Sequence, residues 1–194
     1  MMRDALLISS FLVALCGCAG GGVGGVASAA LEAAGLKKAP ELPEAQQPAR
    51  KVVLRLHAAE KLNTDDKGQS LALVARIYKL KQTAAFDNAP FDSFLDPAAE
   101  KRMLGADLVE VEEFTLVPGQ HLELSEKVPH EAGYVGVVAL YHAPAAQRWR
   151  LAFPAAEAER AGVTVGLHAC AMSVGTGAKA TGLDLSALSS VHCQ

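Results

Sequence analysis

Several patterns that would announce a chemistry are missing from this chain of 194 residues. There is no GxSxG, SxxK, HExxH or CxxC. Each of these sets a nucleophile, a base or a metal ligand at a spacing its reaction needs. Six histidines stand apart at positions 57, 121, 130, 142, 168 and 192. Scattered in this way they read as surface or hydrogen-bonded residues, so no enzyme and no metal cofactor is expected. A basic excess is missing too. Lys plus Arg is 18 and Asp plus Glu is 21, a net charge of −3. That leaves no footprint for nucleic acid and too little charge to steer partners over distance. No apolar run reaches the length of about 20 residues that a bilayer requires. Cysteine is sparse, at four.

The one sustained apolar run, Ala5 to Leu15, follows Met1-Met2-Arg3-Asp4 and leads into Cys16-Gly17-Cys18. A short positive start, an apolar stretch of this length and a small-residue exit form an export signal, removed rather than kept as an anchor. Leu15 at −3, Gly17 at −1 and Cys18 at +1 resemble the lipobox of bacterial lipoproteins. Cys16, preceded by Leu15 where a small residue is needed, fits less well. The resemblance implies cleavage after residue 17, covalent lipid on Cys18 as the sole added group, and acylation of the new amino terminus. Two or three acyl chains give stable attachment where one is marginal. Ala19 stands where Asp would retain an enterobacterial lipoprotein in the inner membrane, so by analogy the outer membrane is the destination.

Residues 18–51 read as the lipidated terminus and a tether. Gly20 to Gly25 is glycine-rich, and Pro40, Pro43 and Pro48 follow, with a reach of about 30 Å as a coil. Gly20, Gly22 and Gly25 match GxGxxG in form alone, since a dinucleotide fingerprint follows a strand and opens a helix. Ala27 to Ala34 has high helix propensity and ends at Gly35.

From Val52 the chain alternates as strands do. Val52–Ala58 is the first, and Leu71–Lys81, apolar on both faces, is the second. Between them lies a loop too long for a tight hairpin. It is rich in the turn formers Asn63, Asp65, Asp66 and Gly68. Leu62, apolar in a polar loop, suits a contact point. Asp65-Asp66 lacks the regular ligand series of a calcium loop. Residues 83–105 break the pattern and predict two short helices, Asp92 to Leu95 and Asp96 to Leu104, with Asp96 as N-cap, Pro97 at N1 and Gly105 as the stop of the second. Strand character returns over Leu108–Leu116, where Glu110, Glu112 and Glu113 read as a solvated face, and over Gln120–Leu124, Tyr134–Tyr141, Trp149–Phe153 and Gly162–Val174. Trp149, Leu151 and Phe153 are expected to face inward. A turn of helix is expected near Ser186. Seven or eight short strands with a helical insert predict an all-β, two-sheet sandwich over residues 52–194.

Once residues 16 and 18 are accounted for, Cys170 and Cys193 remain, an even pair in an oxidising compartment. A disulfide is the first reading. Free thiols are a second. A metal site with His168 and His192 is a third, although zinc sites usually show wider pair spacing. A bridge here would stabilise by about 3 kcal/mol in the chain-entropy picture.

In order and spacing, several stretches resemble the outer-membrane lipoprotein of type VI secretion systems, the TssJ (VasD, SciN) family. They are Leu62-Asn63, Val74 to Lys81, Phe86, Phe91 to Leu95, Leu104 with Asp107-Leu108, Pro118-Gly119, Gly136 to Ala139 and Trp149-Arg150. The resemblance implies a transthyretin-like sandwich in a membrane complex that anchors a contractile injection machine. It also implies a partner, the periplasmic C-terminal domain of the inner-membrane protein TssM. The family's contact loop falls here on Leu62, Asn63, Thr64, Asp65, Asp66, Lys67 and Gly68. No small-molecule substrate and no nucleic acid is expected. The alternative is a ligand-binding periplasmic lipoprotein on the same transthyretin-like sandwich, since a fold does not fix a function. A large apolar cavity would favour it and a packed core would not.

Overall fold

Residue 50, not residue 52, starts the first strand. In the computed structural model, which describes residues 47–182 and Cys193, β1 spans Arg50–Ala58. Arg50 joins the ladder opposite Val128, and its guanidinium donates to the carbonyls of His130 and Ala132 at 3.4 and 3.3 Å. The export signal, Cys18, the tether as far as residue 46, His192 and the turn near Ser186 lie outside the described residues, and the last two residues given to the tether, Arg50 and Lys51, belong to β1. All described residues belong to one unit, Leu42–Gln194.

Seven more strands follow: β2 Leu73–Leu80, β3 Leu108–Leu116, β4 His121–Val128, β5 Tyr134–Leu140, β6 Arg150–Pro154, β7 Val163–Leu167 and β8 Met172–Val174. They form two four-stranded sheets, ordered β4-β1-β7-β8 and β3-β2-β5-β6. This is the expected sandwich. Period-two alternation explains its core. Val52, Leu54 and Leu56 of β1, Leu73, Ala75 and Ile77 of β2, Val135, Val137 and Ala139 of β5, Phe153 of β6, and Val163, Val165 and Leu167 of β7 are all buried. They pack together between the sheets. One pairing departs from the antiparallel rule: β1 and β7 run parallel, with Leu54 opposite Val163 and Leu56 opposite Val165.

The insert covers the outer face of the second sheet. It contains α1 (Ala84–Asn88), a 3-10 turn at Phe91–Phe94 and α2 (Pro97–Leu104). The Asp96 carboxylate accepts the Ala98 N–H at 2.8 Å, Pro97 opens α2, and Gly105 stops it at φ +53°. Phe86 and Phe94 pack on Tyr78 with ring centroids 5.5 and 5.9 Å away. Gly136 permits this approach, because a Cβ there would stand 3.0 Å from the Phe86 ring. Trp149 leaves the inward alternation expected of it and stacks edge-on against Phe91 and Phe94. Arg150 caps it at 4.7 Å and donates to the carbonyls of Ala89 and Asp87. A further helix that the strand reading passes over, α3 (Ala155–Ala161), links β6 to β7 and ends at Gly162, φ +69°. Its signals were ordinary ones: alanine-rich propensity after Pro154, then glycine.

The glutamates of β3 are not simply solvated. Lys79 lies on the core side of β2 and is buried, with Glu110, Glu112 and Glu126 at 2.8, 2.9 and 3.2 Å. Glu126 belongs to β4, so this cluster bridges the two sheets at their β3–β4 edge. On the opposite face Arg76 reaches Glu113 at 2.8 Å and Glu100 of α2 at 2.7 Å, tying the insert to the sheet.

Burial, followed by the neighbouring Glu112 carboxylate, pushes the Glu126 carboxyl up against the opposing pull of Lys79. An acid raised in this way stabilises the fold below its ordinary range, and the contribution fades as pH climbs from about 4.5 through the raised value. Glu112, held down by Lys79, has the opposite dependence. Glu126→Gln removes the first dependence and weakens the second, because Glu126 also helps to hold Glu112 down. Urea denaturation at pH 4 and pH 7 should therefore show the variant gaining on wild type as pH rises. A gap that stays constant between the two pH values would contradict this account.

Candidate functional site

Four connections meet at one end of the sandwich. They are the 59–72 loop from β1 to β2, the 117–120 turn, the 141–149 loop and the 168–171 turn. The first is the loop that the sequence singles out. Its polar tip forms because Asp65 folds the chain back on itself. The Asp65 side chain accepts from the backbone N–H groups of Lys67 and Gln69, at 2.9 and 2.8 Å, and its carbonyl accepts from Gly68. Gly68 takes φ +73°, and Thr64 bridges to Ser70 across the tip.

Leu62, expected as a contact point, is turned away from the surface. It is fully buried in the core, because its carbonyl accepts the Leu71 N–H at 3.0 Å and the chain there turns inward. Asn63 is buried as well, at φ +45°. Asn is among the few residues that adopt the left-handed region readily. Its side-chain N–H donates to the Ala72 carbonyl at 2.8 Å, closing the base of the loop, and its oxygen accepts the His142 N–H at 2.7 Å. Its backbone N–H donates to the His168 carbonyl, and that of Thr64 to Ala169, at 3.1 and 2.9 Å. The seven expected residues therefore divide. Leu62 and Asn63 hold the loop. Thr64 and Asp65 are half-buried, and Asp66, Lys67 and Gly68 are exposed.

What the loop offers instead is Leu71, 37% exposed, beside the ladder end where Leu73 pairs Leu116. Val117, 53% exposed, emerges from the same end. Neither was foreseen, because Leu71 continues the apolar alternation of β2 and reads as a strand residue. His142 faces Asp66 at 3.6 Å across the two loops.

The 168–171 turn holds the arrangement from behind. Tyr141 donates its hydroxyl to the Ala171 carbonyl at 2.8 Å, and burial pushes its phenol up, so it remains a donor. Cys170 is bonded to Cys193, with Cα atoms 5.6 Å apart. His168 shares a 2.8 Å hydrogen bond with Ser173. Among the described residues no three His, Cys, Asp or Glu side chains group as metal ligands.

The fold is thus a two-sheet sandwich with an insert on one face and a polar loop, closed by its own turn bonds, at one end. The comparisons narrow that class of fold. Residues 50–170 match the family T6SS-SciN, described as type VI secretion lipoprotein, VasD, EvfM, TssJ. The chain belongs to this family. Among solved structures it is similar to the type VI secretion lipoprotein TssJ1 from Pseudomonas aeruginosa, at 30% identity and TM-score 0.58, over 66% of this chain and 97% of that one. It also resembles Serratia marcescens Lip, a membrane-bound component of the type VI secretion system. There the identity is 23% and the TM-score 0.58, over 65% and 97% of the two chains. A third likeness is to a chain in the EAEC structure of the T6SS protein TssM C-terminal domain (869–1107), at 22% identity and TM-score 0.55, over 64% of this chain and 97% of that one. No curated protein matches.

Two substitutions separate holding from contact. Leu62→Ala should cost about 2–5 kcal/mol in denaturant unfolding, as buried leucines do. Asn63→Ala should cost about 2–4 kcal/mol, leaving the Ala72 carbonyl and the His142 N–H without their partner. Values near zero for either would remove it from the scaffold.

Proposed function

We propose that this lipoprotein is the outer-membrane anchor of a type VI secretion membrane complex. Lipid on Cys18 holds it in the membrane, the 18–51 segment gives it reach, and the 59–72 loop binds the periplasmic C-terminal domain of TssM. The observation that carries the reading is the family match over residues 50–170, which spans the whole loop. That a chain similar to this one occurs in a structure of the TssM C-terminal domain, and another in a type VI membrane complex, supports the choice of partner. Within the loop the affinity is assigned to Leu71, with Val117 beside it, inside a polar rim of Asp66, Lys67 and Gln69. A small apolar centre with a polar surround is how interfaces concentrate their energy. The role is structural and involves no bond-making chemistry.

Leu71→Asp should weaken binding to the TssM domain about tenfold or more in a titration, while the melting curve moves little. Replacing residues 65–69 by a Gly/Ser segment of equal length should abolish binding. Wild-type affinity in both variants would sink the loop assignment. Separately, Cys18→Ser should move the protein from the outer-membrane fraction to the soluble periplasm and stop secretion. Retention of the variant in the membrane would refute the lipid anchor.

A further inference from the structure

Four consecutive carbonyls, those of residues 168 to 171, all accept hydrogen bonds from elsewhere on this end of the sandwich. His168 takes the Asn63 N–H at 3.1 Å, and Ala169 takes the Thr64 N–H at 2.9 Å. Cys170 takes the Ala145 N–H at 2.9 Å. Ala171 takes the Tyr141 hydroxyl at 2.8 Å and the His168 N–H at 3.0 Å. One short turn thus anchors the 59–72 loop and the 141–149 loop together. The turn joins β7 to the three-residue β8, and their ladder closes on it at Leu167–Met172. To these bonds a covalent one is added: Cys170, buried within the turn, is bridged to Cys193. The family match ends at residue 170, so the second half of the bridge lies beyond it.

We propose that the Cys170–Cys193 disulfide is the brace that presets the 59–72 loop for its protein partner. The inference rests on the functional reading above and assigns a positioning role to Cys170 and Cys193. Pinning residue 170 fixes the His168 and Ala169 carbonyls, and these fix the backbone of Asn63 and Thr64 at the root of the loop. A loop held in its bound form loses less freedom on association. If the bridge is lost, the loop samples other conformations, and apparent affinity falls in proportion to the fraction still competent.

The test uses the full-length oxidised protein in detergent, with Cys193→Ser and the double variant Cys170→Ala/Cys193→Ser. Both will melt earlier than wild type, so melting alone decides nothing. Leu104→Ala, in the insert and remote from the turn, supplies a destabilised control. Hydrogen exchange read well below melting should show the Asn63 and Thr64 amides opening at least tenfold faster in the cysteine variants and unchanged in the control. Binding to the TssM C-terminal domain should weaken about five- to tenfold in the cysteine variants alone. The brace is overturned if exchange at Asn63 and Thr64 matches wild type, if faster exchange leaves affinity untouched, or if Leu104→Ala weakens binding as much. Failure of wild type to bind TssM would instead overturn the functional reading, and the exchange measurement would still decide whether the bridge sets the loop.

Discussion

The Asn63 side chain ties the loop that leaves β1, in one sheet, to the end of the β2–β5 ladder in the other. It spans from the base of its own loop at Ala72 to His142 in the loop after β5. It can do so because its backbone sits at φ +45°, which turns the amide inward while Leu62 beside it drops into the core. Leu62 fixes the depth of the loop root and Asn63 fixes its direction. The tip from Asp65 to Gln69 then needs only its own turn bonds to keep its shape. Hydrogen bonds inside such a buried patch depend on one another, since a lost partner leaves a desolvated group behind.

Much of the fold was legible for a simple reason: strands with one or both faces buried show it in their alternation. β1, β2, β3, β5 and β7 were all readable from it, as were the Asp96-Pro97 start and the Gly105 stop of α2. Where the reading failed, the deciding partner was distant in sequence. Glu110 and Glu112 look solvated until Lys79, 31 and 33 residues away, is set beside them. Trp149 looks like an inward strand residue until the rings of Phe91 and Phe94 draw it to the other face. The parallel pairing of β1 with β7 leaves no local trace at all. The helix α3 is a different case, because its signals were present and the regular spacing of strands masked them.

The candidate loop shows the same division. Its existence was readable from its length and its turn formers. The duties of its residues were not. An apolar residue in a polar loop suggests exposure for contact, yet Leu62 is sealed and the exposed apolar residue is Leu71. Leu62 and Asn63, Phe86, Phe94 and Trp149 carry the resemblance to the type VI lipoproteins, and in the structure these are framework residues. The exposed tip, Asp66 to Gln69, carries none of it. A family likeness of this kind identifies the scaffold and leaves partner preference to residues outside the shared pattern.

One consequence follows from where β1 begins and ends. The strand enters directly from the lipid side of the chain at Arg50 and leaves at Ala58 into the binding loop. Under the proposed attachment, both points of load lie on a single extended segment about 30 Å long. Tension between the two membranes would run along the axis of β1. A pull applied at the two ends of one strand is carried by its own covalent backbone. β1 is flanked on both sides, by β4 and by β7, yet no rung of either ladder lies in series with the load. The ladders keep the strand in place while the unbroken chain between anchor and loop bears the tension.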